Sequence, residues 1–171
     1  MIRILGIDPG SRLTGYGVVE LHGNRALIVT NGCLRVGDGE VAERLKQIHL
    51  GLIQLIEEFQ PQEAAIESVF VQRNVDSALK LGQARGAAIT AISLNNIPVF
   101  EYAPAVIKKS VVGRGNASKP QVQHMVRAIL GLQSTPQSDA ADALAVALCH
   151  GHARNTPAQI AMTRRRHTRW R

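Results

Sequence analysis

Between Ile2 and Thr30 three apolar runs follow one another with only turn residues between them. Ile2-Arg3-Ile4-Leu5-Gly6-Ile7-Asp8 is nearly continuous in its apolarity, the pattern of a mostly buried strand. Pro9-Gly10-Ser11 turns the chain. Thr14-Gly15-Tyr16-Gly17-Val18-Val19-Glu20 and Ala26-Leu27-Ile28-Val29-Thr30 then read as two more strands, joined at Gly23-Asn24. Connections this short make the opening of the fold an antiparallel meander.

From Val41 to Phe59 the period changes. Val41, Leu45, Ile48, Leu52, Leu55, Ile56 and Phe59 recur at spacings of three and four, an amphipathic helix stopped by Pro61. Residues 63–69 read as a strand, and an Ala-rich helix with small glycines runs from about Asp76 to Leu94. Pro98–Tyr102 is the fifth strand. Helices follow over roughly Pro104–Val112, Lys119–Leu130 and Asp139–Ala153. Three antiparallel strands followed by strands alternating with helices predict an α/β fold: a mixed five-stranded sheet with helices on both faces. With 171 residues, 45% of them hydrophobic and only 4% aromatic, the chain builds one domain on an Ala, Leu, Ile and Val core. The expected division is a domain over 1–153 and a basic, mobile tail over 154–171, with five arginines between Arg164 and Arg171 and no acid.

Composition excludes several classes. Cys33 and Cys149 are the only cysteines, too few for a disulfide scaffold or a four-cysteine zinc site. Cys149-His150-Gly151-His152 offers three ligands where structural zinc needs four. No run approaches the roughly 18 apolar residues of a membrane span, and the apolar start breaks at Asp8, too early for a signal peptide. A cytoplasmic location with no membrane partner is the expectation. Gly113-Arg114-Gly115 is no P-loop, since no Gly-Lys-Ser/Thr follows. Actin-like ATPases and sugar kinases need two such domains around a nucleotide. Residues 1–101 carry a net charge of −2 and residues 102–171 a net of +9. A field concentrated in one part of the chain favours a polyanion such as DNA, RNA or an anionic membrane, although excess arginine also serves solubility.

Four of the 13 acids stand where solvation alone would not put them. Asp8 ends the first strand. Glu67 interrupts the apolar run Ala64-Ala65-Ile66-Glu67-Ser68-Val69, where a carboxylate needs a partner. Asp139 and Asp142, the only acids after Glu101, lie three apart and so share one helix face among alanines. All four converge if the Asp8 strand pairs beside the Glu67 strand. Clustered carboxylates raise each other's pKa, and a divalent cation relieves the repulsion. Hard oxygen ligands select Mg²⁺ or Mn²⁺ over zinc. Two such ions about 4 Å apart activate water and stabilise the leaving oxygen of a phosphodiester, which is nuclease chemistry. Taken singly, Asp139 also suits a helix start and Asp8 a turn.

Gly6-Ile7-Asp8-Pro9-Gly10-Ser11, Gly15-Tyr16-Gly17-Val18, Ala65-Ile66-Glu67-Ser68-Val69-Phe70, the run from Asp76 to Gly86, and Asp139-Ala140-Ala141-Asp142-Ala143-Leu144-Ala145 together resemble the bacterial RuvC family of Holliday junction endonucleases. The resemblance runs in order from residue 2 to about 152. It implies a ribonuclease-H-like fold and a homodimeric, Mg²⁺-dependent nuclease. Such an enzyme nicks two strands of like polarity symmetrically at a four-way DNA junction, in recombination and repair. It implies two metal ions per site, with Mn²⁺ as a substitute, and the RuvA–RuvB branch-migration complex as partner. The family's catalytic, metal-holding acids fall on Asp8, Glu67, Asp139 and Asp142.

The family's DNA contacts fall on Phe70, Lys108 and Lys119, with Arg73 and Arg114 grouped beside them. An aromatic at Phe70 is suited to stacking on an unpaired base, and equally to a core or interface. Lys108 and Lys119 flank the Gly113-Arg114-Gly115-Asn116 loop and suit phosphates, though a solvated lysine is the commoner role. Arg12, Lys80 and Arg85 read equally as phosphate contacts or surface charges. Two alternatives stay open: a junction-binding scaffold without cutting, and a ribonuclease H acting on RNA–DNA hybrids.

Overall fold

The computed structural model describes residues 1–23, 25–68 and 74–154. Five strands form one sheet: β1 (Ile2–Asp8), β2 (Leu13–His22), β3 (Arg25–Arg35), β4 (Glu63–Glu67) and β5 (Val99–Tyr102). Their order across the sheet is β3-β2-β1-β4-β5. The first three pair antiparallel, and β4 and β5 add in parallel on the other side of β1. This is the mixed sheet expected from the periodicity.

Five helices cover the faces: α1 (Val41–Phe59), α2 (Val75–Leu94), α3 (Pro104–Val112), α4 (Lys119–Leu130) and α5 (Ser138–Ala153). Strand alternation sorts the core between them. Leu5, Ile7, Val18, Ala64 and Ile66 face α1 and α2, whereas Ile4, Val19, Ala65, Phe100 and Tyr102 face α3, α4 and α5. Asp8 and Glu67 have the same parity as Ile4 and Ala65. Both carboxylates therefore leave the sheet toward α5.

The hairpin strands run further than their sequence reading, to His22 and back to Arg25, then on through Asn31 and Gly32 to Arg35. Gly32 pairs with Tyr16, whose hydroxyl end packs where a side chain would stand: a Cβ there would lie 2.6 Å from it. A register shift between Val18 and Val19 absorbs one residue and strengthens the local twist. The β4 strand stops at Glu67, and Val69 lies outside the described residues. Helix ends follow local chemistry. Gln60 closes α1 in the left-handed region at φ 48°, directly before Pro61. Asn74 accepts the Ser77 amide to open α2, and Gln121 reaches back to the Ser118 amide at 3.0 Å to open α4.

Candidate active site

The turn that follows Asp8 is held from two sides. Thr14, fully buried, donates its hydroxyl to the Gly10 carbonyl at 3.0 Å. Arg44 of α1 donates to the Ser11 carbonyl at 3.0 Å. Asp8 is thus fixed at the carboxyl end of a central strand. The parallel register Ile7↔Ile66 sets Asp8 and Glu67 side by side one residue further on.

Helix α5 lies across β1 and β2 on a bed of glycines. Gly6 and Gly17 are register partners, and beneath α5 they meet Ala143, Ala147 and Leu144. Alanines 140, 141, 143, 145 and 147 are buried along α5, so the helix approaches the sheet closely. That approach carries the first turns of α5 over the end of β1. Carboxylate oxygens of Asp8, Asp139 and Asp142 all lie within 4.8 Å of one another. Glu67 lines the adjoining cleft of about 190 Å³, together with Asp8, Asp142, Lys108, Lys119 and the apolar residues Pro104, Ile107, Val122 and Ala145.

The electrostatics follow from this crowding. Burial, then the charges of Glu67, Asp142 and Asp139, push the Asp8 carboxyl up to about 8. Burial and Asp142 also raise Glu67, against the opposing pull of Lys108 and Lys119. Lys119, at the first position of α4, donates to Asp142 at 3.0 Å, and that bond raises its own pKa. Half-buried carboxylates packed this tightly call for a compensating cation. An all-oxygen donor set of this kind fits Mg²⁺ or Mn²⁺.

The other sequence candidates divide. Lys108 and Lys119 reach the cleft, whereas Arg114 is exposed beyond the end of α3 and is not part of the cleft wall. Phe70 and Arg73 lie outside the described residues, as does the tail from residue 155. Arg12, Lys80 and Arg85 each pair with an acid: Asp38, Asp76 and Glu101. His150 is buried near the end of α5, stacked on Phe100. Its Nε2 lies 2.8 Å from Glu63, which Arg154 also engages, and its Nδ1 lies 2.7 Å from the Tyr102 hydroxyl. Both ring nitrogens are therefore engaged in holding α5 to β4 and β5. The apolar walls of the cleft went unnoticed in the sequence, where Ile107, Val122 and Ala145 look like any core residue of a helix.

Residues 4–150 match the family model described as crossover junction endodeoxyribonuclease RuvC. The chain belongs to the RuvC family. It is 56% identical over 160 residues to the RuvC crossover junction endodeoxyribonuclease of Hahella chejuensis, covering 94% of this chain and 93% of that protein. The RuvC of Pseudoalteromonas translucida is likewise 56% identical over 161 residues, covering 94% and 92%. Among solved structures, Thermus thermophilus RuvC in complex with a Holliday junction substrate superposes with a TM-score of 0.85 at 34% identity, covering 94% of this chain and 97% of that one. A yeast mitochondrial Holliday junction resolvase shares the fold, with a TM-score of 0.66 at 12% identity over 95% of this chain and 83% of that one. The RuvC likeness extends over the ribonuclease-H-like architecture, as the ordered motifs implied. No described helix is long and apolar enough to cross a membrane.

Proposed function

We propose that this chain is a crossover junction endodeoxyribonuclease that resolves four-way DNA junctions by paired, symmetric nicks in strands of like polarity. The observation that carries the reading is the convergence of Asp8, Asp139 and Asp142 in a chain of the RuvC family. A junction-binding scaffold would have no use for half-buried carboxylates that repel one another. The likeness to a RuvC solved on a Holliday junction favours that substrate over an RNA–DNA hybrid.

Asp8, Asp139 and Asp142 hold divalent cations, with Glu67 completing the set from the cleft side. Bound there, Mg²⁺ or Mn²⁺, two per site, supplies an activated water and charge stabilisation at the leaving oxygen. The protein's own groups do the rest. The Thr14 and Arg44 bonds hold the turn after Asp8, so the carboxylate is presented in one orientation. Lys108 and Lys119 line the same cleft as the acids and neutralise phosphates near the scissile bond. The apolar wall of Pro104, Ile107 and Val122 limits bulk water around the reacting group. Phe70 stacks on a base at the junction centre, and Arg73 and Arg114 contact the DNA backbone.

Residues 1–153 form the nuclease domain, and residues 154–171 add nonspecific DNA affinity through their arginines. The enzyme acts as a homodimer in the cytoplasm, in recombination and repair, and works with the RuvA–RuvB branch-migration complex. Support for the dimer comes from α2. Val75 and Leu79 are 77% and 61% exposed, and Gly82 and Gly86 on the same face open onto free space.

The test compares a labelled synthetic four-way junction with linear duplex and RNA–DNA hybrid of matched sequence, each with Mg²⁺ and with chelator. Symmetric paired nicks confined to the junction and to Mg²⁺ are expected. Cleavage of the hybrid alone would replace the reading with ribonuclease H, and tight junction binding without nicks in any divalent metal would replace it with a scaffold.

A further inference from the structure

We infer that Gly15 is a positioning residue: the missing side chain at this point of β2 sets how closely Asp139 approaches Asp8, and with it the affinity of the acidic cluster for a divalent cation. The inference rests on the proposed function, since it assigns a role toward the same metal site.

Gly15 touches the cluster from two directions. Within the sheet it is the register partner of Asp8. Above the sheet it lies under the start of α5, where a Cβ built on it would overlap the Asp139 carbonyl oxygen and lie 2.5 Å from the Asp139 carbonyl carbon. The Ala140 amide nitrogen would be 3.2 Å away. Every one of these atoms is backbone, so no rotamer change makes room. Carbon atoms in contact need about 3.5 Å, so α5 would have to rise by about 1 Å at Asp139.

That displacement is large for a metal site. Ligand distances are held within about 0.2 Å, and Mg²⁺ demands near-ideal octahedral geometry. The oxygens of Asp8, Asp139 and Asp142 already share a space 4.8 Å across. A rise of that size at one of them removes a ligand from the set. Gly17 makes a milder version of the same contact. A Cβ there would meet side-chain atoms first, Leu144 Cδ2 at 2.6 Å and Cγ at 2.7 Å, with the Leu144 amide nitrogen at 3.1 Å.

The experiment measures Mn²⁺ binding to the full chain, without DNA, by water proton relaxation. The proteins are wild type, Gly15→Ala, Gly17→Ala, Leu148→Ala and Asp8→Asn, each checked for fold by circular dichroism. Leu148 is buried on α5 away from the acids, so its truncation destabilises the helix packing without pushing it outward. Gly15→Ala is expected to weaken Mn²⁺ binding at least about tenfold, the size of effect seen when the groups that orient metal ligands are changed. Leu148→Ala should stay within about twofold of wild type. In cleavage, Gly15→Ala should need more Mg²⁺ for half-maximal nicking while its rate at saturating Mg²⁺ recovers toward wild type.

Mn²⁺ affinity of Gly15→Ala within about twofold of wild type overturns the inference, as does an equal loss in Leu148→Ala. If Gly15→Ala does not fold, Gly17→Ala decides: a loss of about threefold beyond Leu148→Ala supports the inference, and parity between them overturns it. Asp8→Asn separates the two levels. If it binds Mn²⁺ as tightly as wild type, the acidic cluster is not the cation site and the functional reading fails. If it loses binding while Gly15→Ala keeps it, only the role of Gly15 fails.

Discussion

Lys119 donates to Asp142 across 3.0 Å, linking the first residue of α4 to the second turn of α5. The lysine side chain is 65% exposed while its partner is 17% exposed, so the ammonium faces both the acids and the open cleft. A group so placed is suited to a phosphate entering the cleft. Lys119→Ala is expected to slow junction nicking by about tenfold to a hundredfold. It should also reduce the slope of log affinity against log salt by about one unit, as loss of one phosphate contact does. An unchanged slope in a salt titration of binding would place Lys119 outside the interface.

Asp8 makes stability depend on pH in an unusual direction. Its carboxyl titrates at about 8 in the folded chain, against about 3.9 when unfolded. Between these values the folded state binds more protons, so without divalent cations stability falls as pH rises through that window. Asp8→Asn removes the repulsion and, in chelator at pH 8, should stabilise the protein by on the order of 1–3 kcal/mol, which is roughly 2–10 °C in melting temperature. Thermal melts at pH 5, 6.5 and 8 check this. Mg²⁺ should raise the wild-type melting temperature more at pH 8 than at pH 5.

Glu63 behaves in the opposite sense. Burial would raise its carboxyl, but hydrogen bonds from His150 and Arg154 outweigh that effect and pull it down to about 2. Its contribution is therefore present above about pH 4.3 and lost as pH falls toward 2. Glu63→Gln should cost about 1–3 kcal/mol at pH 7, since it weakens the partners of a buried histidine. Nicking per folded molecule should be retained. Urea unfolding at pH 7 and pH 3 tests both parts: the difference between variant and wild type should shrink at the lower pH.

The exposed α2 face gives a direct prediction for assembly. Val75, Leu79, Gly82 and Gly86 follow one another at spacings of four, three and four, the stripe along which two helices pack closely. Leu79→Arg should convert a dimer to monomer in sedimentation velocity at micromolar concentration. It should also abolish the pairing of nicks on a junction. A dimer that survives the change lies elsewhere on the surface.

Much of this architecture was legible because the periodicities are clean. The helix from Val41 to Phe59 has the bounds that its apolar spacing and Pro61 imply. The four acids stood out because Asp8 ends an apolar strand, Glu67 interrupts one, and Asp139 and Asp142 share a helix face among alanines; strand parity then turns Asp8 and Glu67 toward α5. What stayed hidden were relationships across the chain. Glycine spacing in β1 and β2 carries no mark of the helix that lies on it, and Gly15 reads locally as a strand weakness. Cys149-His150-Gly151-His152 has too few ligands for a zinc site, but its sequence does not show what His150 does instead: its burial between Glu63 and Tyr102 depends on how β4 and β5 pack beneath α5. The third strand runs past Thr30 through Gly32, because the partner that Gly32 accommodates, the Tyr16 ring, lies on another strand.

Asp8, Glu67, Asp139 and Asp142 are proposed to act as one metal-dependent cutting centre. The most direct measurement is junction binding and Mg²⁺-dependent nicking by Asp8→Asn, Glu67→Gln, Asp139→Asn and Asp142→Asn, side by side. Each is expected to bind the junction with affinity near wild type and to nick it on the order of a hundredfold more slowly or worse. Nicking within tenfold of wild type in Asp8→Asn, with binding intact, would mean that the acids do not form the cutting centre.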